Sequence, residues 1–250
     1  MNVTVCVKRV PSTATRLKIA PEAKGIDESG IEFVINPYDE FAVEEALKII
    51  EKAGGELTIL TLGPESASKE IRTCLALGAT KAVHLVSDDS FRDGLSVARA
   101  LAEALQSIPS DLILLGRQAV DHDNAQVGLM IATLLGLPAV IDVVKVEISG
   151  SEATVEREVE GGARETYRLS LPCLLTAQKG LNEPRLPNLK GIMAAKKKPV
   201  AARPIGSFPN SQKLDRIELP AERSGGRIVG KGQDAVSELL RLLREEAKVI

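Results

Sequence analysis

The stretch LTILTLGPESASKEIRTCLALGATKAVHLV, Leu57–Val86, carries a strand, a helix and a second strand in close succession. Leu57–Leu62 is an apolar run of strand length, Gly63-Pro64 turns the chain into a helix over Glu65–Leu77, and Ala82–Val86 is the next short buried strand. Two such strands joined by a crossover helix lie parallel, and the crossover is right-handed. The same alternation extends to both sides. Upstream, Val3–Val10 reads as a buried strand, and Asn36-Pro37-Tyr38-Asp39 starts a helix with Asn36 as N-cap and Pro37 at the first helical position. Ala42, Ala46, Ile49 and Ala53 give that helix its apolar stripe, and Gly54-Gly55 ends it. Downstream come a helix from Gly94 to about Gln106, the strand Asp111–Leu115 and a helix near Ala125–Leu135.

Beyond Leu137 the pattern changes. From Ala139 to about Ala177, strand-like runs broken by Ser149-Gly150 and Gly161-Gly162 predict antiparallel strands. Pro184–Pro220, rich in Pro, Gly, Asn and Lys, predicts an extended arm or loop, and a last helix fits Asp234–Glu246 with Val236, Leu239, Leu240 and Leu243 on one side. The expected fold is α/β: a doubly wound, mostly parallel sheet with an antiparallel strand excursion and an extended C-terminal arm ending in a helix. The chain divides accordingly into an α/β domain over 1–183, a loop over 184–200 and an arm with helix over 201–250.

Composition narrows the function. With 2% aromatics and no Trp, the core of this 250-residue chain must be aliphatic. The net charge of −2 argues against a general nucleic-acid or membrane-surface binder, Lys196–Lys198 being a local basic cluster. Cys6, Cys74 and Cys173 are far apart in apolar surroundings and read as buried free thiols of a reducing compartment. The first strand starts almost at once, leaving no room for a signal peptide, and Leu129–Val144 is interrupted by Pro138 and Asp142 and makes a poor membrane span. A soluble cytoplasmic protein is the expectation.

In a doubly wound sheet, ligands bind outside the carboxyl ends of the strands at the point where strand order reverses. Cys6–Pro11, Asn36–Asp39, Leu62–Pro64 and Gly116–Val127 occupy such positions. Free backbone N–H groups near Ala125–Val127 suit a phosphate, Asp121 and Asp123 suit ribose hydroxyls, and backbone near Cys6 and Leu62 suits an adenine edge. The competing reading is four ordinary connecting loops, with Asp123 or Asn124 as N-cap. Neither GxGxxG nor GxxxxGK[ST] occurs. The two histidines, His84 and His122, form no HExxH, no metal site is expected, and no nucleophile elbow or opposed carboxylate pair suggests catalysis. Lys8 and Arg9 either meet an anionic ligand or acidic partner, or simply face solvent.

Several ordered segments resemble the beta subunits of electron transfer flavoproteins. They are VCVKRV (Val5–Val10), NPYDEFAVEEAL (Asn36–Leu47), TLGP (Thr61–Pro64), IRTCLALGA (Ile71–Ala79), DLILLGRQAVDHDNAQVG (Asp111–Gly128), VEREVEGG (Val155–Gly162) and LNEPRLPNLKGIMAAKKK (Leu181–Lys198). The resemblance implies a heterodimer with an alpha subunit that holds most of the FAD site, while this chain binds a structural AMP. It places AMP contacts on Cys6, Asn36, Pro37, Tyr38, Asp39 and Leu62, and on the run Gly116, Arg117, Gln118, Ala119, Val120, Asp121, His122, Asp123, Asn124, Ala125, Gln126 and Val127. It implies that Thr13, where some members carry a tyrosine, and Glu158 face the flavin domain. It makes 184–200 a partner-recognition loop with Leu189 as its anchor among Leu186, Ile192 and Met193, and sets 201–250 on the alpha subunit. The implied role is electron transfer from acyl-CoA and other dehydrogenases to a membrane quinone oxidoreductase, without a catalytic site in this chain. An electron-bifurcating subunit with a second FAD, and a stand-alone adenine-nucleotide-binding regulator, are the alternatives.

Overall fold

A computed structural model describes residues 1–88, 91–221 and 225–250, in two compact units, Met1–Ile217 and Glu218–Ile250. The first unit runs β1 (Asn2–Cys6), β2 (Arg9–Pro11), β3 (Phe33–Ile35), α1 (Pro37–Ala53), β4 (Glu56–Gly63), α2 (Ser68–Leu77), β5 (Lys81–Val86), α3 (Gly94–Gln106), β6 (Leu112–Gly116) and α4 (Val127–Leu135). It continues with β7 (Ala139–Ser149), β8 (Glu152–Glu158), β9 (Arg164–Ser170), β10 (Cys173–Ala177), α5 (Leu189–Ala195) and β11 (Val200–Pro204).

Nine strands form one sheet in the order β11-β5-β4-β1-β6-β10-β7-β8-β9, parallel except at the β7–β8 and β8–β9 pairs. From β1 the chain first builds outward through β4 and β5, then returns to place β6 on the other side of β1. That reversal puts the switch point between the carboxyl ends of β1 and β6. Side chains of α1 and α2 fill one core layer, with Leu47, Ile71 and Leu75 against Val5, Ile59 and Leu114. Those of α3 and α4 fill the other, with Leu101, Leu105 and Ile131 against Leu60, Ile113 and Leu174. The sheet is therefore wound on both faces, and its core is aliphatic as composition required. Each fully buried Leu or Ile contributes roughly 1.5–3 kcal/mol, so the core does not need large aromatic side chains.

Four expectations change. Val3–Val10 is not one strand: β1 stops at Cys6, and Arg9–Pro11 turns away to pair antiparallel with Phe33–Ile35. Within Ala139–Ala177, β7, β8 and β9 form the antiparallel excursion, but β10 returns to lie parallel between β6 and β7. An apolar run such as CLLTA fits either direction, because strand direction is set by the partner. Pro184–Pro220 is not all arm, since Leu189–Ala195 is helical, capped by Asn188 Oδ1 accepting from Gly191 N at 2.8 Å. Val200–Pro204 pairs in register with Ala82–Val86 as the sheet's edge. Beyond β11 the chain is pinned to α3, where Asp93 caps the helix through Ser96 N (2.8 Å) and also accepts from Ser211 N and Gln212 N (2.8 Å).

The second unit holds α6 (Val236–Glu245), preceded by a short turn at Gln233–Ala235. Arg241 bonds Glu238 and Glu245 along the helix, while Val236, Leu239 and Leu240 are exposed. Among the described residues, no helix is long and apolar enough to cross a membrane.

Candidate functional site

Three of the loops chosen from the sequence, Cys6–Pro11, Asn36–Asp39 and Gly116–Val127, meet at the switch point, held by a lattice of partly buried polar bonds. Asn36 precedes α1, with Pro37 at its first position, but its side chain does not cap that helix. It bridges to the loop after β6 instead, donating from Nδ2 to Gln118 O (2.8 Å) and accepting at Oδ1 from Val120 N (3.1 Å). One turn on, Asp39 accepts from Gly116 N (2.9 Å) at one oxygen and from Lys8 N (2.7 Å) at the other. A single helix start thus ties the loop after β1 to the loop after β6. Burial pushes the Asp39 carboxyl up to about 6, against the pull of those two N–H bonds, the Asn36 contact and the Lys8 charge.

Gly116 is at this position for space. A Cβ there would lie 2.5 Å from Asp39 Oδ1, 2.6 Å from Tyr38 Cβ and 2.7 Å from the Tyr38 carbonyl carbon. Cys6, at the end of β1, is buried, and its thiol is raised by burial first and the Asp39 charge second, so it is no nucleophile. Leu62 is half-buried near the end of β4, two residues beyond Leu60, the register partner of Cys6.

The loop after β6 supplies the rest. Lys8 Nζ lies 2.5 Å from an Asp121 oxygen, and Gln118 Nε2 donates to Asp123 Oδ1 at 2.7 Å. Ala119 O accepts from His122 N and Asp123 N, closing a turn. His122 is held below its ordinary value, chiefly by burial and then by the Lys8 charge. Arg117 lies 3.3 Å from Asp142 through Nε, near enough for attraction but off line for a hydrogen bond.

α4 begins at Val127, not Ala125, and its N-cap Gln126 makes no side-chain cap; neither Asp123 nor Asn124 fills that place. Ala125 has φ 50°, while Gln126 has φ −119° and ψ −26°. A left-handed residue followed by a right-handed one turns successive N–H groups to one side, the arrangement that holds anions. Here it stands at an uncapped helix start, whose dipole adds to the attraction. Asp123 also has φ 50°, so two non-glycine residues of this short loop hold a conformation that L-residues rarely adopt. A phosphate therefore fits the chain near Ala125–Val127, with the carboxylates of Asp121 and Asp123 in the same loop.

The other expected residues lie elsewhere. Thr13 is in an exposed loop between β2 and β3, and Glu158 ends β8 opposite Arg164 in the antiparallel excursion. Leu186 and Leu189 are 89% and 75% exposed, and Ile192 and Met193 are exposed beside them. Lys198 does not belong to a free basic cluster, because its Nζ donates to Leu75 O (2.9 Å) and Ala79 O (2.7 Å) at the end of α2. Arg9 does not face open solvent; it stacks 3.3 Å over the Phe33 ring, 3.6 Å from Glu70. His84 is structural, with Nε2 3.1 Å from Gly63 O. All three cysteines are buried and free, and no cluster of metal-ligating side chains occurs among the described residues.

A cavity of about 690 Å³, lined by Met1, Lys48, Lys52 and Asp111 among others, opens at the amino ends of the strands. It shares no residue with the polar lattice, and size alone does not make it the site. Sequence reasoning missed Asn182 and Arg185 as structural anchors. Asn182 Nδ2 donates to Phe41 O and Glu45 Oε2, and Arg185 reaches Glu44 and Glu51. The one signal in the sequence was the unusual run of acidic residues on a helix with a buried face.

Residues 24–206 match the family "Electron transfer flavoprotein domain". The chain is 40% identical over its whole length to all of the electron transfer flavoprotein subunit beta of Bacillus subtilis. It is 38% identical, with both chains fully covered, to the mitochondrial beta subunit of Oryza sativa subsp. japonica. The beta subunit of Mus musculus is 37% identical over 94% of this chain and 95% of its own.

Proposed function

Since the chain belongs to the electron transfer flavoprotein family, as a beta subunit, we propose that it works in a heterodimer carrying electrons from acyl-CoA and other dehydrogenases to a membrane quinone oxidoreductase. The alpha subunit holds most of the FAD, which supplies the redox chemistry, and this chain supplies position and electrostatics. It has no catalytic site of its own.

The observation that carries the reading is the polar lattice at the switch point, next to an uncapped α4 start with left-handed Ala125. AMP suits that place: its phosphate on the N–H groups near Ala125–Val127, its ribose by Asp121 and Asp123, its base at backbone near Cys6 and Leu62. With Asn36 and Asp39 tying two loops to one helix, a ligand there acts as structural cement. Thr13 and Glu158 face the flavin domain, and the exposed Leu186, Leu189, Ile192 and Met193 dock the donor dehydrogenase. The exposed apolar residues Val236, Leu239 and Leu240 of α6 pack on the alpha subunit. The heterodimer works in the cytoplasm.

Co-expression with the alpha subunit, followed by heat release of bound nucleotide and chromatography, tests the proposal. The expected product is a yellow heterodimer releasing one FAD and one AMP. Two FAD and no AMP would make the chain a bifurcating subunit instead. Failure to associate would favour a stand-alone regulator.

A further inference from the structure

We infer that Arg185 is a positioning residue for donor docking, fixing the direction in which the segment from Leu186 to Met193 is presented. The inference rests on the docking role proposed above for Leu189. The chain from Leu181 to Asn188 has no helix or strand of its own, yet it must hold α5 in place. Asn182 makes the first tie, donating to Phe41 O (3.0 Å) and to Glu45 Oε2 (2.9 Å). Arg185 makes the second and stronger one. Its Nε and one terminal nitrogen grip both oxygens of Glu44 (2.8 and 3.0 Å), and its backbone N–H adds a third bond to the same carboxylate (3.2 Å). The terminal nitrogens also reach both oxygens of Glu51 (2.5 and 3.1 Å).

Glu44 and Glu51 stand seven residues apart on α1, about two turns, so they lie along one face. Glu44 is only 4% exposed, and among the described residues Arg185 is the one that grips its carboxylate. A buried carboxylate gripped in a fork is a geometric clamp, and a planar guanidinium serves it where a lysine would not. Pro184 and Pro187 flank the clamp and fix φ on both sides.

At the far end α5 is seated independently. Gly191 packs against Ala76 O so closely that no side chain fits, and Arg72 donates to Ala195 O (2.7 Å) and Lys198 O (2.8 Å). With the helix clamped at both ends, Leu186 and Leu189 project next to a fixed residue. A pre-ordered loop gives up less freedom on binding, and the benefit appears in affinity for the protein partner. The clamp touches neither flavin nor reacting atoms, so its loss acts on encounter with the donor.

The test uses the complete heterodimer with an acyl-CoA dehydrogenase as donor, and dithionite as a small reductant that needs no docking. Arg185→Ala should raise KM for the heterodimer about tenfold with kcat within about twofold, and leave flavin content and dithionite reduction unchanged. Arg185→Lys should fall between, since an ammonium meets one carboxylate and cannot fork across both. Leu189→Ala runs alongside as the control for the docking reading. If Leu189→Ala raises KM and Arg185→Ala does not, the positioning role is wrong and docking stands. If both leave KM unchanged, the docking reading falls and takes this inference with it. If Arg185→Ala loses flavin or slows dithionite to the same degree as the donor, the residue is merely structural and the inference is overturned.

Discussion

Replacing Gly116 with alanine is expected to cost about 2–6 kcal/mol of stability and, on the function proposed above, to strip AMP from the heterodimer. The added methyl carbon would meet Asp39 Oδ1 at 2.5 Å and Tyr38 at 2.6 and 2.7 Å. One of the Tyr38 atoms is backbone and the other is Cβ, so neither can rotate aside. Relief requires the first turn of α1 to move as a body. Overpacking of this kind typically costs about 1–3 kcal/mol. The shift also opens the bond from Gly116 N to Asp39, and a buried polar group losing its partner costs about 1–3 kcal/mol more. Domain stabilities are about 5–15 kcal/mol, so the variant should fold but unfold at clearly lower urea. The same displacement draws Asn36 from Gln118 and Val120, so the AMP proposed at this site should be lost along with stability. Urea unfolding and heat release together check it, and an unchanged midpoint with full AMP would show that the loop has room the geometry denies.

Asp39→Asn should be nearly as damaging, with a pH signature. Both carboxylate oxygens accept from backbone N–H groups, so an amide must turn a donor toward a donor, costing about 1–3 kcal/mol at pH 7. The folded carboxyl titrates at about 6, raised by burial, whereas in an unfolded chain it titrates at about 3.9. The folded state therefore holds the proton more tightly. The stability linked to that proton is fully present below about 4 and lost as pH rises through about 6. Asparagine has no proton to lose, so the wild-type advantage should widen on acidification from pH 7 to pH 4, by up to about 3 kcal/mol. Paired urea titrations at both ends of that range isolate the effect, because other carboxylates titrate alike in both proteins. A gap that stays level or shrinks toward acid would mean that Asp39 is not the buried acid described.

Much of the doubly wound fold was legible because its signals are local. Gly63-Pro64, Gly54-Gly55 and the apolar runs around them mark element ends without reference to any partner, and β4, α2, β5, α3 and β6 all appear close to their expected bounds. The features that escaped depend on distant partners. Whether Cys173–Ala177 lies parallel is decided by β6 and β7, and whether Val200–Pro204 is a strand is decided by β5. The loops that meet at the switch point were legible too, since position at a sheet edge comes from element order. Asn36 was misread, because its type suits a cap but its side chain serves the neighbouring loop. Lys198 was counted into an external charge cluster, although a lysine can equally close the carbonyl end of a helix.

α1 gives one rod two attachments: its start, at Asn36 and Asp39, is tied to the loops at the switch point, and its second half, from Glu44 to Glu51, to Arg185. The interval between them is counted in helical turns. Inserting or deleting one residue between Asp39 and Glu44 would rotate everything beyond by about 100° and leave one attachment facing the wrong way. A point change in this helix breaks one attachment, but a change of length misaligns the two against each other. Its residue count is thus a dimension of the protein, as rigid a constraint on descent as any single side chain it carries.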